Sequence, residues 1–207
     1  MRVVTFLLCL VAATAVAVAQ DKSTTAAPQD KPAMSSTQEM GAAPAQANPY
    51  SSFTKAVYGH LQTILLRSAE KMPEESYSFK PTDSVRSYGQ ILGHVADAQY
   101  LFCSKAMGEN NPAPGIEKTK TSKADLTAAL KDAFAYCDKA YDSMTDASGA
   151  QTVKLFGGDT PKLGVLTVNN MHNMEHYGNL ITYMRMKGIV PPTSEQQGMP
   201  QPNQPKK

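Results

Sequence analysis

Two histidines spaced four residues apart are the part of this chain best suited to chemistry. His172 and His176 lie in the segment MHNMEHYGNLITYMRMKGIVPP. On an α-helix this spacing places both imidazoles on the same face. Neutral imidazole is a common ligand of divalent cations such as zinc, so the pair supplies part of a metal site. Two ligands rarely hold such an ion, and a third is needed.

The segment around the pair has the pattern of an amphipathic helix. Its core-facing residues recur at intervals of three and four positions. They are Leu166, Asn169, His172, His176, Leu180 and Met184. Gly188, followed by Pro191 and Pro192, ends the helix. Both imidazoles are therefore expected on its buried side.

A third ligand must come from the two remaining histidines, His60 and His94. His94 lies in SYGQILGHVADAQYLFCSKAMG, on an apolar stripe with Ile91, Ala98 and Leu101. We therefore predict His94 as the third ligand. The alternative is that each histidine is an ordinary hydrogen-bonded core residue, but three inward histidines together favour a shared site.

The N-terminus has the pattern of an export signal. It reads MRVVTFLLCLVAATAVAVAQ, in which Arg2 precedes an apolar run that ends in Ala17, Val18 and Ala19. Small residues at this spacing predict cleavage after Ala19. Residues 1–19 are therefore predicted as a signal peptide of an exported protein, periplasmic or extracellular, with no retained membrane span.

Composition divides the rest of the chain into one domain and two flanks. Residues 20–46 and 193–207 are rich in Ala, Pro, Ser, Thr and Gln, and we expect both to be disordered. Residues 47–192 remain as a single domain. The net charge of +2 is small and the basic residues are scattered, which indicates no nucleic-acid partner.

Four amphipathic segments predict an all-α four-helix bundle. The first helix runs from about Tyr50 to Lys71. The second starts at Ser87, where Ser87 and Gln90 form a capping-box pattern, and the third starts in the same way at Ser122. The histidine segment is the fourth. The stretch from residue 151 to 156 is short and is predicted as loop.

Cys103 and Cys137 are the two cysteines that remain after removal of the signal peptide. In an exported chain they are a candidate disulfide. They follow Ser87 and Ser122 at almost equal distances, so they are level only if the second and third helices run parallel. The alternative is that both are buried small apolar residues.

Two stretches, YSFKPTDSVRSYGQILGHVADAQYLF and NNMHNMEHYGNLITYMRMKGIVPP, carry a family resemblance. The domain from about Asn48 to Pro192 resembles the DinB-like (DinB/YfiT-like) family of metal-binding four-helix bundles. The resemblance implies an up-down-down-up bundle with helices 2 and 3 parallel. It also implies a divalent metal ion, zinc or nickel, on His94, His172 and His176.

Such a site predicts a metal-dependent hydrolase of a small-molecule substrate. One alternative is a non-catalytic metal-binding or stress-associated bundle. Another is a thiol S-transferase-like enzyme, against which export counts because low-molecular-weight thiols are cytoplasmic reagents. A homodimer also remains open.

Four further residues are weaker candidates for the surroundings of the metal. Asp97 follows His94 by three positions and can orient a ligand ring or accept a proton. His60, Asn169 and Tyr177 can border the pocket. For each of the four, an ordinary surface or core role is the alternative.

Overall fold

The computed structural model of the protein describes residues 47–195. The predicted signal peptide, the leader and residues 196–207 of the predicted tail lie outside the described residues. The elements in chain order are α1 (Pro49–Lys71), α2 (Tyr88–Met107), α3 (Ile116–Thr119), α4 (Lys123–Ser143), α5 (Asp146–Gly149), β1 (Thr152–Leu155), β2 (Gly158–Pro161) and α6 (Lys162–Met186). Short 3-10 turns lie at Glu74–Ser76 and Pro192–Ser194.

Local capping chemistry determines where the long helices begin. The Ser87 side chain accepts the N–H of Gln90, and the Gln90 side chain accepts the N–H of Ser87, which completes the capping box before α2. Ser122 accepts the N–H of Asp125 in the same way before α4. These starts agree with those predicted from the sequence.

The four long helices form an up-down-down-up bundle. The Tyr88 hydroxyl at the start of α2 donates to the carbonyl of Ser68 near the end of α1, so these helices are antiparallel. At the opposite end of the bundle, the Asn170 amide of α6 donates to the carbonyl of Thr54 near the start of α1. Because both residues are early in their helices, α6 runs parallel to α1 and antiparallel to α2.

Helices α2 and α4 run parallel, as expected. Gly89 lies against the Leu126 side chain near their N-terminal ends. Toward their C-terminal ends, Cys103 and Cys137 form a disulfide whose Cα atoms are 5.3 Å apart. Both cysteines are fully buried.

Apolar packing between the long helices holds α2 and α6 side by side. The largest fully buried side chains include Leu61, Leu65, Tyr88, Leu92, Leu130, Phe134, Leu166 and Leu180. Removal of this surface from water is the main force that aligns the helices. Within residues 47–195, no helix is both long and apolar enough to cross a membrane.

Residues 152–161 form a β-hairpin, which corrects the loop predicted for this region. β1 pairs antiparallel with β2, so that Leu155 faces Gly158 across the turn. The two turn residues, Phe156 and Gly157, have φ angles of 50° and 86°. Two left-handed residues are typical of a tight hairpin turn, which usually begins with Asn or Asp. The short strands and the unusual Phe at the first turn position explain why the sequence pattern failed here.

Candidate metal centre

Three imidazoles from two helices converge at one point of the bundle. α2 contributes His94, and α6 contributes His172 and His176 from successive turns. The Nε2 atom of His172 lies 3.1 Å from Nε2 of His94 and 3.1 Å from Nε2 of His176. One ligand atom from each residue lies within 4.8 Å of the other two. The antiparallel packing of α2 and α6 thus brings together the three residues selected from the sequence.

The outer ring nitrogens of two of these histidines have polar partners. Nδ1 of His94 lies 3.1 Å from a carboxylate oxygen of Glu117. A carboxylate accepts, so His94 donates from Nδ1 and turns the lone pair of Nε2 toward the cluster. Nδ1 of His176 lies 3.3 Å from the side-chain amide of Asn179. The atom that faces the ring is the amide nitrogen, which donates to Nδ1. Only the flipped amide, with its oxygen toward Nδ1, has the same effect on His176 as Glu117 has on His94.

His172 is half-buried, and it is more exposed than the buried His176. The Nδ1 atom of His172 is buried and has no hydrogen-bond partner among residues 47–195. Burial, and next the imidazoles of His176 and His94, lower the pKa of His172 to about 3. Burial and then His94 also lower the pKa of His176. Both rings are therefore neutral near pH 7, the form that binds a cation.

These donors fit a divalent cation. Nε2 atoms 3.1 Å apart share a hydrogen bond when one of them carries the proton. When each ring carries its proton on Nδ1, their lone pairs point to a common position where a cation binds. Nitrogen ligands at 2.0–2.1 Å from a tetrahedral zinc ion lie about 3.3 Å apart, close to the observed spacing. The three histidines can therefore hold a metal ion.

Glu117 is a site residue that the sequence analysis did not identify. It lies on the single turn of α3, where its carboxylate also accepts from Nε of Arg86 at 2.8 Å. The Glu117 carboxylate thus bridges the guanidinium of Arg86 and the ring of His94. No periodic pattern marks a helix of four residues, so the sequence carried little signal for this role.

Asp97 positions the turn that carries Glu117. One carboxylate oxygen of Asp97 accepts the N–H groups of Gly115 and Ile116, and the other accepts the N–H of Glu117, at 2.7–2.9 Å. Gly93 lets the turn approach α2, because a Cβ at position 93 would lie 2.7 Å from Cα of Glu117. Asp97 therefore acts on His94 through Glu117, and it also lines a cavity together with His94 and His172.

Among the cavities that border the centre, two differ clearly in character. A cavity of about 690 Å³ reaches His176, and its polar lining includes Arg86, Glu117, Glu175 and Asn179. An apolar cavity of about 350 Å³ reaches His94 and His172. The histidine cluster is thus accessible to small molecules from two sides.

Three of the weaker candidates lie elsewhere. His60 is exposed on α1, because Tyr58 and Leu61 take the neighbouring buried positions, and it lines neither cavity. Asn169 is buried and donates to the side chain of Gln99 inside the bundle. The hydroxyl of Tyr177 contacts the C-terminal segment at residue 193. None of the three lines either cavity, so the structure does not place them at the pocket.

Comparison with known proteins agrees with the fold described above. The uncharacterized protein YjoA of Bacillus subtilis (strain 168) is 25% identical over 123 residues, which cover 58% of this chain and 79% of that protein. The crystal structure of a DinB-like protein from Bacillus cereus ATCC 10987 has a TM-score of 0.62 at 16% identity, and covers 68% of this chain and 95% of its own. The crystal structure of YjoA, a DinB-like protein from Bacillus subtilis, has a TM-score of 0.56 at 22% identity. The match covers 69% of this chain and 99% of the YjoA chain.

At these identities the structural similarities show the fold alone. The sequence profile of the DinB superfamily matches residues 59–180. This range contains His94, His172 and His176, together with all of α2. The chain belongs to the DinB superfamily.

Proposed function

We propose that this protein is an exported metal-dependent hydrolase that binds one zinc or nickel ion through His94, His172 and His176. The observation that carries the proposal is the convergence of three Nε2 atoms at a point bordered by two cavities. An ion that only joins two helices needs no such access, whereas a catalytic ion does. The cavities therefore favour catalysis over a purely structural ion.

Three imidazole ligands leave a divalent ion at least one open position, where it supplies a Lewis acid for hydrolysis. The chain must also provide a proton acceptor. Glu117 is already engaged by Arg86 and His94. Glu175 lines the polar cavity with His176, is exposed, and takes part in none of the ion pairs formed within residues 47–195. We assign it the proton-accepting role.

Export is part of the proposal and rests on the signal-peptide pattern of residues 1–19. The disulfide between Cys103 and Cys137 supports it, because disulfides persist in oxidising compartments. Such a compartment also weighs against thiol S-transfer. Mass spectrometry of the protein recovered from the periplasm or medium should find a chain that begins at Gln20. A cytoplasmic chain that retains Met1 would contradict export.

Elemental analysis of the purified protein is the direct test of the metal site. We expect near-stoichiometric zinc or nickel in the wild type and in His60→Ala, whose residue lies outside the site. The triple variant His94→Ala/His172→Ala/His176→Ala should lose that metal. Wild-type protein that takes up neither ion would contradict the proposal.

A screen of ester and amide substrates, run with the identified ion restored, tests the hydrolase assignment. Glu175→Gln should lower the turnover of any substrate found by roughly 10²-fold or more and leave the metal content unchanged. Protein that binds metal but hydrolyses none of these substrates would favour the non-catalytic alternative.

A further inference from the structure

The smaller cavity beside the metal centre has walls that suit a hydrocarbon group. Its apolar lining comes from Ala98, Leu101, Phe102, Pro114 and Phe156. Two of the three predicted ligands, His94 and His172, form its inner end. A group bound in this cavity is therefore directly adjacent to the three-histidine cluster.

The polar side chains on the cavity wall are already engaged within the protein. Both carboxylate oxygens of Asp97 accept backbone N–H groups of α3. The Asn111 side-chain oxygen accepts the N–H of Ala113. These oxygens are thus satisfied before any ligand enters. Apart from the side-chain NH2 group of Asn111, the wall therefore offers a ligand mainly apolar contact.

Phe156 forms the outer wall of this cavity at a cost to the fold. Its side chain is 80% exposed, and its φ angle of 50° lies in the left-handed region, which bulky residues rarely adopt. Asn or Asp is the usual residue at this turn position and would avoid both costs. Backbone strain of this kind, observed beside a candidate site, indicates a functional constraint.

Aromatic rings define the geometry between the turn and the metal centre. The ring of Phe156 meets that of Phe102 edge to face, with centroids 6.1 Å apart and an interplanar angle of 88°. Phe102 in turn lies 5.7 Å from the ring of His172. Perpendicular rings of this kind present both faces and edges to a further ring, which is the arrangement that aromatic groups prefer.

We propose that this cavity binds an aryl group of the substrate while the polar group of the same molecule reaches the three-histidine centre. The inference rests on the proposed metal site and deepens it by naming the substrate class, an aromatic ester or amide. The volume of about 350 Å³ accommodates a single substituted ring. Phe156 is the residue that selects the aromatic substituent.

Hydroxamates test this proposal without knowledge of the substrate, because they share one metal-binding head and differ in the attached group. Zinc-loaded protein is titrated with acetohydroxamate, benzohydroxamate and heptanohydroxamate by calorimetry. We expect benzohydroxamate to bind about tenfold more tightly than acetohydroxamate or better, since its ring leaves water on binding. Heptanohydroxamate has the same number of carbon atoms as benzohydroxamate, but its affinity should exceed that of acetohydroxamate by a smaller factor.

The variant Phe156→Asn removes the aromatic wall and supplies the residue that the turn prefers, so its fold is retained. It should lose most of the advantage of benzohydroxamate while its affinity for acetohydroxamate stays the same. Phe53→Asn is the matched control, because Phe53 is 72% exposed on α1 and lines neither cavity. It should bind all three compounds like the wild type.

Three results would overturn the inference and leave the metal site standing. The first is equal affinity for benzohydroxamate and acetohydroxamate. The second is an affinity for heptanohydroxamate equal to that for benzohydroxamate. The third is a preference for benzohydroxamate over acetohydroxamate that is as large in Phe156→Asn as in the wild type. Protein that takes up neither zinc nor nickel would overturn the proposed function as well. The metal content measured before each titration separates the two cases.

Discussion

The carboxylate of Glu117 lies 3.1 Å from Nδ1 of His94 and fixes which nitrogen of that ring faces the metal centre. The same carboxylate accepts from Arg86, so Glu117 links the guanidinium of Arg86, which lines the polar cavity, to the ring of His94. Removal of such a partner from a ligating histidine lowers its basicity and loosens its orientation. The contact therefore determines the quality of His94 as a ligand.

Glu117→Ala should weaken zinc binding by about 10–100-fold, the usual effect of losing the carboxylate behind a histidine ligand. Competition with a chromophoric chelator measures the affinity. Glu70→Ala is the control, because Glu70 is an exposed carboxylate paired with Lys131 on the surface. Equal zinc affinity in Glu117→Ala and the wild type would show that the contact does not support the ligand.

Gly93 should tolerate a methyl group poorly because the turn carrying Glu117 lies against it. A Cβ there would lie 2.7 Å from the Cα of Glu117, so the backbone must move. We expect Gly93→Ala to lower the free energy of unfolding by about 1–3 kcal/mol and to weaken zinc binding. Urea denaturation of the metal-free protein gives the first value.

Gly59→Ala is the matched control on α1, and it should raise the free energy of unfolding, whereas Gly93→Ala should lower it. A Cβ at Gly59 of α1 would meet nothing within 4 Å, so this substitution should add about 0.5–1 kcal/mol through the higher helix propensity of alanine. A gain of the same size in Gly93→Ala would contradict the close approach of α3 to α2.

Acid should destabilise the metal-free protein through His172. In the fold its pKa is lowered to about 3 from an ordinary value of 6.5. As the pH falls below 6.5, the unfolded chain takes up a proton that the folded chain refuses, so the free energy of unfolding decreases. His172 should contribute a loss of about 1–2 kcal/mol between pH 7 and pH 5, allowing for its partial exposure.

Urea denaturation at both pH values, with a chelator present, measures this dependence. His172→Gln removes the titrating group and should lower the free energy of unfolding less on acidification. The lowered pKa of His176 acts in the same direction and remains in the variant. An identical pH dependence in the variant and the wild type would show that His172 is not the responsible group.

The disulfide should contribute substantially to stability because it closes a long loop. Cys103 and Cys137 are separated by 34 positions, for which the loss of chain entropy in the unfolded state corresponds to about 4 kcal/mol. Cys103→Ala/Cys137→Ala should lower the free energy of unfolding by about this amount. Reduction of the wild type should have a comparable effect. An unchanged denaturation midpoint after reduction would contradict a bond in the native protein.

Helical periodicity is sufficient to recognise the three histidines of the metal site. Which face of a helix a residue occupies depends only on its spacing from the neighbouring apolar residues. His172, His176 and His94 all follow from such spacing. The helix starts at Ser87 and Ser122 are equally local, since each cap involves groups within three residues.

Contacts between distant segments decided the surroundings of those residues. The turn of α3 that carries Glu117 is too short to be stable alone, and Asp97 caps it from 18 to 20 positions earlier in the chain. Phe156 similarly enters the site only because the hairpin folds back toward α2. The sequence by itself thus determined the four long helices and the three histidines, because these follow from local spacing. The tertiary structure alone decided which carboxylate supports His94 and which aromatic ring borders the metal centre, because both depend on packing between segments far apart in the chain.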